Sequence, residues 1–172
     1  MQEPTDATFT IVMAEGRRMM RLSRELAPQR FEALLREYQL VLCNVFERMG
    51  GRDVKAGSDT ITAVFATATE AAAAAIAAQR EVAAHRWPDG VRLAISVGLH
   101  SARADADATE GAAHHCSELC DAAEGGEVFV SEAAATMLEA EGLGALSLRD
   151  LGEQRTRRTE RAVRAFELVG PH

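Results

Sequence analysis

Residues 50–65 read Gly-Gly-Arg-Asp-Val-Lys-Ala-Gly-Ser-Asp-Thr-Ile-Thr-Ala-Val-Phe. A short segment from Arg52 to Ala56 runs into Gly57-Ser58-Asp59-Thr60, and Ile61, Ala63 and Phe65 then recur at every second position. Two extended segments around a tight, glycine-containing turn predict a β-hairpin. Its flanks decide the fold. Upstream, Phe31, Leu34, Leu35, Tyr38, Val41, Val45, Phe46 and Met49 recur at three- and four-residue steps, which is one apolar face of a helix. Pro28 opens that helix and Gly50-Gly51 closes it. Downstream, the alanine-dense run from Thr69 to His85 predicts a second helix, stopped before Trp87-Pro88. Phe9 to Ala14 and Val91 to Gly98 are short apolar runs that read as strands outside this unit.

The order is therefore β-α-β-β-α-β, a ferredoxin-like α+β arrangement with an antiparallel-rich sheet and helices on one face. Additional αβ elements follow. After a polar connection at Asp105 to Ala108, Gly111 to Glu124 reads as a helix ended by Gly125-Gly126. Glu127 to Val130 reads as a strand, and Ser131 caps a helix reaching about Glu141. Leu146 to Leu151 and Ala162 to Leu168 are the last two strands. We read residues 1–172 as a single domain, without repeat, linker or low-complexity tail.

Composition narrows the function. With 47% apolar and 26% charged residues, the 172-residue chain has the means to bury a core. The net charge of −7 disfavours a nucleic-acid partner, and no apolar run approaches the roughly 20 residues of a membrane helix. Three cysteines without framework spacing fit a reducing compartment, and the expectation is a cytoplasmic protein. Of the 19 basic residues, 18 are arginine and the only lysine is Lys55. Arginine replaces lysine at most solvated positions, but not where a compact ammonium is needed. The bland alternative is a local ion pair of Lys55 with Asp53 or Glu15.

Other polar clusters have competing readings. In His114-His115-Cys116-Ser117-Glu118-Leu119-Cys120, the two thiols lie four apart on one helix face, but no second ligand cluster accompanies them. A buried small-residue helix with exposed histidines is the preferred reading, with His85 and His100 remote and unpaired. Arg155, Arg157 and Arg158 read as an anion site or as a solvated hairpin flanked by Glu153 and Glu160. Arg17-Arg18-Met19-Met20-Arg21 is too short for a membrane-surface helix.

Four stretches carry a resemblance. They are Gly50 to Asp59, Val97-Gly98-Leu99-His100-Ser101, Gly125-Gly126-Glu127-Val128-Phe129-Val130-Ser131, and Leu148 to Gly152 with Val163 to Leu168. In this order and spacing the chain resembles the class III adenylate/guanylate cyclase catalytic domain over nearly its full length. The resemblance implies two domains paired head to tail, with sites at their interface and two metal ions held by two aspartates. Carried over position by position, it puts the first metal aspartate at Met13 and the second at Asp59. It assigns purine reading to Lys55 and Asp107, and the triphosphate contact to Arg157. The ribose asparagine falls on His114 and the transition-state arginine on Glu118.

Charge decides what these positions can do. A thioether at Met13 does not ligate a hard Mg²⁺ ion, and Asp59 alone is a residual, weak metal ligand or simply a turn residue. Glu118 places negative charge where negative charge would develop. Losing one transition-state donor costs roughly 10²–10³ in rate, and here several parts change together. The expectation is a degenerate, inactive cyclase-like domain that acts as a nucleotide-binding or protein-interacting regulatory module. The implied ligand is a purine nucleotide, with Mg²⁺ or Mn²⁺ as its companion ion. The implied partners are a second copy in a homodimer, a signalling protein or an intact cyclase. The alternative is an active or partner-complemented cyclase to which this chain lends Lys55 and Asp107. Arg17 and Arg18 lie near the phosphate-binding turn of the family and would partly offset the missing metal charge.

Overall fold

The structure is a computed structural model that describes residues 7–105 and 108–171. Seven strands form one sheet: β1 (Thr8–Gly16), β2 (Arg52–Ala56), β3 (Thr60–Phe65), β4 (Ile95–Arg103), β5 (Val128–Val130), β6 (Ser147–Arg155) and β7 (Ala162–Val169). Their order is β2-β3-β1-β4-β5-β7-β6. Every neighbouring pair is antiparallel except β4 and β5. The helices are α1 (Met19–Glu25), α2 (Pro28–Arg48), α3 (Ala68–Ala84), α4 (Ala108–Ala122) and α5 (Glu132–Glu141). The α+β class and the ferredoxin-like core, in strand order β2-β3-β1-β4, agree with the sequence reading.

Strand periodicity separates two cores. On β1, Val12 and Ala14 face one side, where Leu34, Tyr38, Leu42 and Phe46 of α2 bury against the sheet. The alanine face of α3 (Ala71, Ala74, Ala75 and Ala78) packs into the same core, and so do Ala134 and Leu138 of α5. Small side chains there allow close approach of helix and sheet. Phe9, Ile11 and Met13 alternate to the opposite side and meet Ala112, Cys116 and Cys120 of α4. Leu119 and Ala123 extend that second core over Phe129, Val163 and Ala165. The two helices of the ferredoxin-like part, α2 and α3, share one face as expected, whereas the added helix α4 covers the other face, because β1 is apolar at odd and even positions alike. Close packing there depends on Gly98, where a Cβ would lie 2.6 Å from the Cys116 carbonyl.

Local chemistry sets the helix starts. The Thr67 hydroxyl accepts from the Glu70 amide at 3.1 Å to open α3, and Ser131 does the same for Ala134 at the start of α5. Two elements depart from the sequence reading. The seven-residue helix α1, nearly two turns long, carries no long apolar period and is absent from the sequence reading. β4 begins at Ile95 rather than Val91 and continues to Arg103, because β1 pairs with it along its whole length, from Thr8↔Arg103 to Gly16↔Ile95. None of the helices among the described residues is long and apolar enough to cross a membrane.

Candidate functional site

Lys55 sits on the edge strand β2, opposite Thr62. The strand is irregular between Arg52 and Lys55, and Asp53 has a left-handed φ of 50°. That bulge presents Asp53 and Lys55 beside the first turn of α4. Together with Thr62, Thr109 and Glu110 they rim a pocket of about 370 Å³, also lined by Ile11, Val64 and Ala113. An apolar floor with a few polar groups at its edge is the ordinary composition of a small-molecule site. No ion pair of Lys55 with Asp53 or Glu15 forms among the described residues. Asp107 lies outside the described residues.

Arg157 is not at this place. It lines a second pocket, of about 600 Å³, with Arg17, Arg18, Arg92, Leu93, Ala94, Glu124 and Gly125. The two pockets lie at opposite ends of α4, whose 15 residues span about 20 Å at 1.5 Å per residue. Asp59 lies elsewhere again, in a groove with Met19, Met20, Phe31 and Leu35. Its carbonyl accepts from the Gly16 amide and the Tyr38 hydroxyl, both at 2.8 Å.

The positions the resemblance assigns to metal and transition state are built differently. Met13 is buried among Cys116 and Cys120. Two residues on, Glu15 is on the same face of β1, is 3% exposed, and accepts from the Arg158 guanidinium on the β6–β7 loop. Burial and the Asp59 carboxylate push the Glu15 carboxyl up, whereas Arg158 and Arg17 pull it down; burial dominates. Arg158 also faces Asp121 at 3.6 Å, and its amide donates to the Asp121 carboxylate at 2.8 Å. One assigned position thus carries a thioether, and the Glu15 carboxylate, close enough to Asp59 to be pushed up by it, is engaged by Arg158. No group of three potential ligands forms among the described residues.

His114 is exposed, with Nε2 3.3 Å from the Glu118 carboxylate, and Arg161 approaches the same carboxylate at 3.7 Å. The negative charge at Glu118 is thus partly balanced from its own chain, a feature that sequence order does not show. Cys116 and Cys120 are fully buried and donate to the carbonyls of Ile11 and Met13 at 3.4 and 3.2 Å. Burial pushes both thiols far above their ordinary range, so they are core residues. The two remote histidines are a correction. His100 stacks on His115, with ring centroids 4.1 Å apart and planes at 7°. His85 lies 4.2 Å from the Trp87 ring and 3.3 Å from Glu37. The i, i+15 separation of His100 and His115 follows no helix or strand period, so only folding reveals their contact.

No protein-family model matches the sequence, and no curated protein matches it. Solved structures do. The adenylyl cyclase CyaB from P. aeruginosa is 19% identical with a TM-score of 0.73, covering 96% of this chain and 95% of that one. An adenylate cyclase from Trypanosoma brucei, solved in its monomeric state, is 18% identical with a TM-score of 0.78, over 98% and 90% of the two chains. The guanylate cyclase domain of RhGC from Catenaria anguillulae, in complex with GTP, is 14% identical with a TM-score of 0.79, over 97% and 98%. The chain has the fold of the class III adenylyl/guanylyl cyclase catalytic domain.

Proposed function

We propose that this cyclase-fold domain binds a purine nucleotide and does not cyclise it. One observation carries the reading: the only lysine of the chain rims a pocket with an apolar floor at the N-terminal end of α4. A purine ring would lie on Ile11, Val64 and Ala113, with Lys55, Thr109 and Glu110 at its polar edge. Two further features argue against turnover. Met13 offers no oxygen to a cation, and Glu118 puts a carboxylate where the family places an arginine. Arg161 reduces that charge without supplying a guanidinium at the α4 position. The chain then serves as a regulatory module, acting as a homodimer or on a signalling partner.

The test is a calorimetric titration of ATP and GTP into the protein, with and without Mg²⁺ or Mn²⁺, beside Lys55→Ala. The same samples are assayed for cyclic product. Binding that is lost in Lys55→Ala, without product, supports the reading. Cyclic product above background from the wild type overturns it in favour of an active enzyme. Absence of binding by both nucleotides leaves a protein-interaction module.

A further inference from the structure

We propose that His100 and His115 form a proton-operated catch that holds α4 against the sheet at neutral pH and releases it in acid. The catch needs neither nucleotide nor partner, and it uses side chains to which the resemblance gives no role.

Placement is the first observation. His100 lies on β4, opposite Ile11 of β1, and His115 lies on α4. Their rings stack across the seam between helix and sheet, with centroids 4.1 Å apart and planes at 7°. Both side chains are half-buried. Beside them helix and strand meet by backbone, since a Cβ on Gly98 would lie 2.6 Å from the Cys116 carbonyl. The pair therefore sits on the contact that joins α4 to β4. Stacked rings send their nitrogen lone pairs out along parallel planes, so the pair does not converge on one metal ion. Its arrangement answers to protons instead.

The second observation is the charge around the pair. His114 and Glu118 stand beside it on α4, Glu132 at the start of α5, Arg164 on β7 and Arg161 on the β6–β7 loop. From β1 it meets only the apolar Ile11. Glu118 lies 3.3 Å from His114 and 3.7 Å from Arg161, and Glu132 lies 3.8 Å from Arg164. Each carboxylate lining this pocket thus already has a guanidinium beside it, and charge is near balance while both rings are neutral. Protons on both rings add two positive charges across a 4.1 Å stack. Burial lowers both imidazoles from their ordinary range; His115 lowers His100 further, to about 4, while at His115 Glu118 pulls up and His114 pulls down.

The third observation is the link to α5. His100 Nδ1 meets the Ser131 hydroxyl at 2.7 Å, and the same hydroxyl accepts from the Ala134 amide at 3.1 Å to cap α5. A protonated Nδ1 only donates, so that hydroxyl must then accept from two N–H groups at once. With α4 lifted, both rings return to ordinary solvation. Opening is therefore suppressed above pH 6.5 and favoured as pH falls toward 4, by about tenfold per pH unit for each proton taken up. Thr109, Glu110 and Ala113, which line the Lys55 pocket, travel with α4.

The experiment labels Cys116 and Cys120, which α4 buries, in the full chain with a dipyridyl disulfide, whose protonated ring keeps it reactive in acid. Labelling is followed from about pH 7 to about pH 4.5, at each pH relative to the same chain unfolded in urea. Fluorescence of Trp87, which belongs to the opposite core, reports global unfolding, and low urea separates local from global opening. Expected is a rise in relative labelling of at least about tenfold over this range, insensitive to low urea, with the Trp87 signal native. His115→Phe keeps a ring in the stack but takes no proton, and should cut the rise severalfold. His115→Gln repeats the test without an aromatic ring, and His114→Gln, exposed on the same helix, should keep the rise. Thiols that stay closed to the acid end, a rise unchanged in both His115 variants, or labelling that tracks the loss of the Trp87 signal overturns the inference.

Discussion

The guanidinium of Arg158, on the loop between β6 and β7, donates to the carboxylate of Glu15, buried on β1 and 143 residues away in sequence. One oxygen of Glu15 is engaged in this way; the other, Oε2, is buried and meets no donor. Arg158→Ala leaves an uncompensated carboxylate, and we expect a loss of about 1–3 kcal/mol in urea unfolding at neutral pH. The sign of its pH dependence follows from the raised Glu15 carboxyl. Without Arg158 that carboxyl rises further, so the folded variant binds a proton the unfolded chain has released. Stability of the variant then falls as pH rises, and the loss shrinks on acidification. A loss that grows toward pH 5 would show that Glu15 is not its source.

His100 supplies a second pH signature. Burial, and then the neighbouring His115, lower it to about 4 from an ordinary 6.5. The neutral ring accepts from or donates to the Ser131 hydroxyl at 2.7 Å. Between these two values the unfolded chain takes up a proton that the folded one refuses. Stability conferred by the neutral ring is complete above pH 6.5 and is lost as pH falls toward 4. His115→Ala removes the stacked partner and should raise the His100 value, measured by NMR titration. An unchanged His100 titration would contradict the coupling.

Two glycines, Gly98 beneath α4 and Gly111 on its exposed side, should respond oppositely to alanine. Gly98→Ala drives a methyl into the Cys116 carbonyl, 2.6 Å away, and should cost about 1–3 kcal/mol. Gly111, inside α4, has nothing within 4 Å of an added Cβ, so Gly111→Ala should stabilise by about 0.5–1 kcal/mol. Denaturant midpoints at constant slope decide both.

Thiol chemistry should report the second core. Cys116 and Cys120 are buried and pushed up by burial, and Cys43 is half-buried. An aromatic disulfide reagent should titrate one thiol in the folded protein and three after denaturation. Rapid reaction of two or more native thiols would mean that α4 opens readily from the sheet.

The legible part of the fold was the part with a period. The hairpin at 52–65 and the long helix α2 repeat every two residues or every three to four, and Pro28, Gly50 and Ser131 mark boundaries by their own backbone chemistry. Helix α1 and the start of β4 were not legible. The first has little period of its own, and the second is set by pairing with β1. At the site, residue identity at Met13 and Glu118 already carried the charge argument. Their placement within one chain was not legible: Lys55, Arg157 and Asp59 line three separate cavities.

By itself the sequence determined the element order, the two helices flanking the hairpin and the chemistry available at each position, because these rest on local dihedral preference and side-chain type. Only the tertiary structure decided that α4 covers the opposite face, that Arg158 holds Glu15, that His100 meets His115, and that Arg92 joins Arg17, Arg18 and Arg157. Those contacts arise from sheet pairing and packing between segments far apart in the chain, and no period along the chain encodes such distances.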